Sequence, residues 1–159
     1  MGFAVREKHQ VAIVVDSATS VPEEIVGDPR LHVVPMTLTL DGVTYLDGLD
    51  VTPTRFYEML RETLKPPTTS APSPRSFLEE FRKAVAGSQS ILCITVGARF
   101  SASYDAANVA AREAIRILPG ADIRILDSES AAGGEGLIAL QALRASKRGL
   151  SLQDVTDAA

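Results

Sequence analysis

Solid runs of apolar residues alternate with stretches where apolar side chains recur every three or four positions, and this alternation organises the chain. Val11 to Val15 is unbroken apolar sequence, the mark of a strand buried on both faces. It gives way to the polar segment Asp16 to Ser20, after which Pro22 opens a short helix to about Val26. Leu31 to Leu40 predicts a second strand. Asp41 and Gly42 are a two-residue hairpin signal, returning the chain through Val43 to Leu46. Thr52 caps a helix that starts at Pro53 and carries Phe56, Leu60 and Leu64 as its apolar stripe. Ser73 and Pro74 start another, with Phe77, Phe81 and Val85 on one face and Gly87 at its end. Ser90 to Val96 is again a nearly continuous apolar strand, and an alanine-rich helix then runs to about Leu118, stopped by Pro119 and Gly120. Ile123 to Leu126 is a further strand. A last long helix runs to Arg148, Gly149 breaks it, and Ser151 with Asp154 has the spacing of a capping box.

Strands alternating with helical crossovers predict an α/β fold, a mostly parallel sheet with one antiparallel hairpin. Ligands in such sheets sit at the carboxyl ends of the strands. Three of those ends are rich in hydroxyls: Ser17 to Ser20, Ser101 with Ser103, and Ser128 with Ser130. Arg99 is the one cation among them. Hydroxyls and helix N-termini together suit one modest anion, a carboxylate or a phosphate group. The segment Lys65 to Pro74 adds Thr68, Thr69, Ser70 and Ser73 between four prolines, which hold Ala71 and Ser73 extended.

Composition narrows the classes. With 159 residues, 45% of them hydrophobic, the chain can bury one proper core. Its mean hydropathy is near zero and it has no long apolar run, which excludes a membrane-spanning helix. Residues 1–10 read as a mixed, charged tail without the apolar centre of a signal peptide. The single cysteine, Cys93, lies in an apolar run and favours a cytoplasmic setting. The net charge of −4, with no basic stripe or aromatic platform, argues against a nucleic-acid partner.

Catalytic and cofactor signatures are missing: there is no nucleophile elbow, no Walker loop and no zinc spacing. No cofactor or metal is expected. His9, in the tail, and His32, at a strand start, are poorly placed for a general base. Asp47 and Asp50 share a loop that lacks the calcium-binding pattern, so they read as solvated acids. Asp16 ends the first strand where a phosphotransfer aspartate could stand, but Ala18 occupies the place of the second carboxylate. Helix capping is its better reading. Gly133, Gly134, Glu135 and Gly136 miss the dinucleotide fingerprint and read as a tight turn.

Five segments, AIVVDSATS, VVPMTLTLDGVTYLDGLD, TTSAPSPRSF, ARFSASYDAA and DSESAAGGEG, resemble in order and spacing the N-terminal half of the DegV family of bacterial fatty-acid-binding proteins. The resemblance spans roughly residues 10 to 157 and implies a long-chain fatty acid whose carboxylate is held by hydroxyls at the mouth of an acyl tunnel. It implies Thr69 and Ser70 from one loop and Ser101, followed by Ser103, from another as head-group contacts. Asp16, Ser17 and Ser128, on strand ends of the same sheet, are further expected ligand contacts. It also implies a carrier that presents the acid to a fatty acid kinase, with no catalytic residue of its own. Two positions depart from the family pattern: Ala102 replaces a glycine, and Ala132 replaces a serine.

The family has a second domain of comparable size. Residues 11–130 are therefore expected to form the first domain, and 131–159 a bridging helix and the truncated start of the next. On its own the chain is expected to bind lipid weakly or not at all. Leu137, Ile138, Leu140, Ala142 and Leu143 spread over most of the bridging helix, and residues 149–159 look too poor in apolar groups to cover them. A homodimer through residues 135–148 is the expected remedy. A small phosphate-ester hydrolase using Asp16, or a ligand-free interaction module, are the alternatives.

Overall fold

A computed structural model describes residues 10–159; the predicted tail, with His9, lies outside them apart from Gln10. The main sheet has four parallel strands: β1 (Val11–Asp16), β2 (Leu31–Val34), β6 (Ser90–Thr95) and β7 (Asp122–Asp127), in the order β2-β1-β6-β7. The all-apolar run of β1 is explained by its place, since both edges are paired and both faces covered. Its odd-numbered residues Val11, Ile13 and Val15 pack with Leu92 and Ile94 against helices α4 (Gly133–Lys147) and α5 (Leu152–Ala158). Its even-numbered residues Ala12 and Val14 pack with Ile91 and Cys93 against α2 (Pro74–Val85) and α3 (Ser103–Ile117). The result is helix, sheet and helix in three layers. On one side α2 contributes Phe77 and Phe81, both wholly buried, while α3 presents Ala107, Ala110, Ala111 and Ala114. Alanines let a helix backbone approach a sheet closely, so the two helices fill the same layer with opposite side-chain sizes.

The predicted strand from Leu31 to Leu40 is two strands. Pro35 has no N–H to give a ladder, and the chain leaves the main sheet there. It re-forms as β3 (Thr37–Leu40), the centre of a separate antiparallel sheet in the order β4-β3-β5. β4 (Val43–Leu46) returns through the expected hairpin, with Asp41 and Gly42 at φ 49° and 81° as a tight turn of that hand requires. The third strand, β5 (Thr68–Ser70), comes from the proline-rich segment, so the expected ribbon of two strands has three.

Two helical expectations change. Helix α1 (Pro53–Leu60) is capped by Thr52, whose hydroxyl accepts the Arg55 N–H at 3.3 Å, but it stops before Leu64, which is fully exposed. Lys65 precedes Pro66 and cannot remain helical; the Thr63 hydroxyl instead accepts its N–H and donates to Asp41 at 2.7 Å. The leucines of α4 need no second copy to cover them. Leu140 and Leu143 are buried among β1, β6 and α5, where Leu152 and Val155 supply the cover judged too sparse in residues 149–159. Of that helix's large apolar side chains Leu137 alone is strongly exposed, at 62%.

Gly136, in the first turn of α4, lies so close to the Ser20 carbonyl oxygen that a Cβ there would overlap it. Replacing Gly136 with alanine is expected to cost about 1–3 kcal/mol of stability, the range for overpacking a rigid contact. Urea unfolding of the two proteins checks it. Equal midpoints and slopes would show that α4 can shift away from the loop after β1.

Candidate functional site

After β1 the chain first adds β2 on one side, then crosses to add β6 on the other, so the strand order reverses between β1 and β6. At such a reversal the connections leave in opposite directions and a crevice opens at the carboxyl ends. One buried carboxylate spans it. Asp16 ends β1 with no exposed surface; one oxygen accepts the Val96 N–H at the end of β6 at 3.0 Å, and the other accepts the Ala18 N–H at 3.1 Å. Asp16 caps no helix, contrary to the sequence reading: the short 3-10 helix Glu23–Ile25 follows Pro22 and has no side-chain cap. Burial raises the Asp16 pKa, while bonds from Val96, the Ser103 hydroxyl and Ala18 act against the rise.

The sequence candidates divide by what their hydroxyls already do. Ser101 and Ser103 come together at the start of α3, with their hydroxyl oxygens 3.1 Å apart and the Ser103 N–H donating to Ser101 at 3.2 Å. The bond fills the place of the missing side chain at the cap position Ala102. Ser103 is fully buried beside Asp16, while Ser101 is half-buried at the same edge. Ser17 is engaged inside the fold: its hydroxyl donates to Asp47 at 2.8 Å and accepts the Met36 N–H at 3.0 Å, fastening the small sheet to the end of β1. This role also removes Asp47 from the class of merely solvated loop acids. Ser128 closes its own loop, donating to the Ser130 carbonyl and accepting the Ser130 N–H, both at 3.2 Å. Thr69 and Ser70 are exposed on β5, away from these bonds. Their backbones pair with Leu38 and Thr37 of β3.

The loop after β7 crosses the ends of β6 and β1. The Gly97 N–H donates to the Ser130 carbonyl at 2.8 Å, and the Ser20 N–H to the Ala132 carbonyl at 3.2 Å. Ala132 holds φ 50° and ψ −122°, a backbone state that costs a non-glycine residue about 1–3 kcal/mol. Beside this loop a cleft of about 230 Å³ is lined by Ala98, Arg99, Asp127 and Glu129. Arg99 is held there by a bond to the Glu129 carbonyl at 3.3 Å and by its position over the Phe100 ring.

Sequence reasoning missed the most unusual group at this edge. The segment Gly133 to Gly136 is the first turn of α4 and not a free turn, and it sends Glu135 inward. Glu135 is wholly buried and neither of its oxygens has a hydrogen-bond partner; the buried hydroxyls of Thr19 and Thr95 are likewise unpaired. A glutamate between glycines at a helix start, just after a serine-rich strand end, was the available signal. Burial, and then the charge of Asp16, push its pKa up to about 8; the Thr19 hydroxyl, nearby but outside hydrogen-bonding geometry, acts in the opposite direction.

The folded protein therefore keeps a proton on Glu135 up to about pH 8, while the unfolded chain releases it above about pH 4.5. In that window the unfolded state binds fewer protons, so stability falls as pH rises from about 4.5 to 8 and then levels. The full effect is on the order of 5 kcal/mol. Asp28 and Glu80, whose ion pairs lower their pKa values, act in the opposite sense and only below that window. Glu135→Gln is expected to flatten the fall, as measured by urea unfolding at pH 5, 6.5 and 8.5. An unchanged slope would show that Glu135 is ionised in the fold.

The DegV family, described as uncharacterised, matches residues 10–159. A DegV domain-containing protein from Caldanaerobacter subterraneus is 34% identical over 146 residues, covering 92% of this chain and 50% of the relative. A stearic acid-binding protein from Eubacterium ventriosum has a similar fold, with a TM-score of 0.83 and 30% identity over 93% of this chain and 51% of its own. The fatty acid kinase B3 protein of Streptococcus pneumoniae, solved with linoleic acid, shares the fold at a TM-score of 0.80 and 22% identity, covering 94% of this chain and 52% of that one. The chain spans about half the length of the curated relatives it matches. Matched along all its described residues, this chain belongs to the DegV family.

Proposed function

We propose that the chain holds the carboxylate of a long-chain fatty acid at the carboxyl edge of its main sheet and presents it to a fatty acid kinase. The observation that carries this reading is the Ser101 and Ser103 hydroxyl pair at the start of α3, beside the crevice between β1 and β6. Neutral donors and a helix N-terminus suit a singly charged head group. Thr69 and Ser70, with exposed hydroxyls on β5, complete the proposed contact set. Asp16, Ser17 and Ser128 serve it by position: their polar atoms hold β1 to β6, the small sheet to β1, and the last loop to itself.

The protein acts here as a carrier, and the phosphoryl transfer belongs to the kinase. Hydrolysis of a phosphate ester through Asp16 is disfavoured, because both carboxylate oxygens already accept backbone N–H groups and the side chain has no exposed surface. Relatives are about twice as long, and we assign much of the cover for the acyl tail to the part beyond the match. The small sheet and its neighbours carry exposed Val43, Leu46, Leu49 and Tyr57, a surface suited to that cover.

Affinity then divides unequally between tail and head. Burying about fourteen methylenes at roughly 0.8 kcal/mol each gives about 11 kcal/mol gross. Each hydroxyl bond to the carboxylate adds about 1.5–3 kcal/mol, and association costs about 4–15 kcal/mol. In a two-domain context, with the chain joined to the second half that its relatives carry, palmitate is expected to displace a fluorescent fatty acid far better than octanoate. Thr69→Ala and Ser101→Ala are expected to weaken palmitate modestly. Equal affinity for the two acids would overturn the tunnel, and unchanged affinity in both variants would overturn the head-group assignment.

A further inference from the structure

At the opposite, amino-terminal edge of the main sheet lies a pocket of about 340 Å³ that the fatty-acid reading does not use. Its polar lining includes Gln10, Arg30, His32, Lys83 and Ser88, and among the described residues no acidic one lines it. In a chain of net charge −4, a cavity lined by several basic side chains stands out.

The main chain of Arg30 is fixed on both sides. Its N–H donates to the Asp28 carboxylate at 3.0 Å, and its carbonyl accepts the Ile13 N–H at 2.7 Å, tying it to β1. Its guanidinium Nη1 is buried with no hydrogen-bond partner, a costly state for a charged donor. Glu80 anchors the other two bases. One of its oxygens lies 3.0 Å from His32 Nδ1 and the other accepts from Lys83 Nζ at 2.8 Å. That leaves further donors on Lys83, and Nε2 of His32, an acceptor in the neutral ring while Nδ1 donates to Glu80, without a part in those bonds. A guanidinium beside an ammonium is an arrangement that recognises a tetrahedral oxyanion through several oxygens at once.

We propose that this pocket binds a phosphate group, with Arg30 as its anchoring donor and Lys83 and His32 as flanking contacts. The site is separate from the carboxyl-edge crevice and stands whether or not that crevice holds a fatty acid. A carboxylate offers fewer oxygens and less charge to the same three side chains, so phosphate is the better fit.

Titration of the ¹⁵N-labelled chain with inorganic phosphate against chloride at constant ionic strength tests this directly. Saturable shifts are expected at Arg30, Gly87 and Ser88, with acetate weaker than phosphate. Arg30→Gln is expected to lower phosphate affinity about tenfold or more, and Lys83→Met several-fold. Lys83 is largely exposed on α2, so its variant reports on the pocket even if the Arg30 change disturbs the fold. Shifts that follow ionic strength alone, that centre on Ser101, that are matched by acetate, or that survive both substitutions would each overturn the proposal.

Discussion

The buried Asp16 carboxylate joins the two central strands where their ladder ends. Between β1 and β6 the strand order reverses, and the ladder that binds the two strands runs out at their carboxyl ends. Asp16 continues the connection with its side chain, reaching the Val96 N–H beyond β6 and the Ala18 N–H of its own loop. A carboxylate so buried is tolerable only because backbone donors satisfy it. The start of α3, the loop after β1 and the turn into α4 all take their positions from strands that meet at this residue. Loss of Asp16 would leave buried N–H groups unpaired on both sides of the crevice.

The small sheet depends on the same edge through a different device. Ser17, next to Asp16, binds Met36 at the entry to β3 and Asp47 just after β4. One hydroxyl therefore sets where the second sheet stands relative to the first. Thr69 and Ser70 inherit that placement by pairing with β3, although more than fifty residues separate them from Ser17 along the chain. Helix α1 buries none of its residues completely, and β4 is largely exposed. This half of the molecule is held by hydrogen bonds and pairing more than by a core of its own.

Polar groups at the two edges of the main sheet are arranged on opposite principles. At the carboxyl edge, acids and hydroxyls are buried together, and desolvation, then the charge of Asp16, keep Glu135 protonated near neutral pH. At the amino edge the bases line an open cavity, and their acids, Asp28 and Glu80, sit behind them. The first arrangement keeps its acids inside the fold and leaves the half-buried Ser101 hydroxyl at the crevice. The second invites an anion.

Much of this was legible in the chain alone. The β1, β6 and β7 runs, the helices opened by Pro53 and Pro74, the Asp41-Gly42 hairpin and the hydroxyl-rich strand ends follow from local rules: apolar periodicity, proline geometry and turn stereochemistry act within a few residues. The resemblance across five segments added the family, because order and spacing carry information that no single segment holds. What tertiary structure alone decided was which polar group meets which. Asp16 looks like a helix cap in sequence, and only the neighbouring strand end, 80 positions away, makes it a bridge. Ser17 and Ser128 look like ligand donors until Asp47, Met36 and Ser130 are seen to occupy them. Glu135 looks like part of a turn until Ser20 is found against Gly136, which leaves the helix no room to turn that carboxyl outward. A hydroxyl or carboxylate has the same local propensities whether its partner is water, backbone or ligand, and the partner is fixed by contacts between segments far apart in the chain.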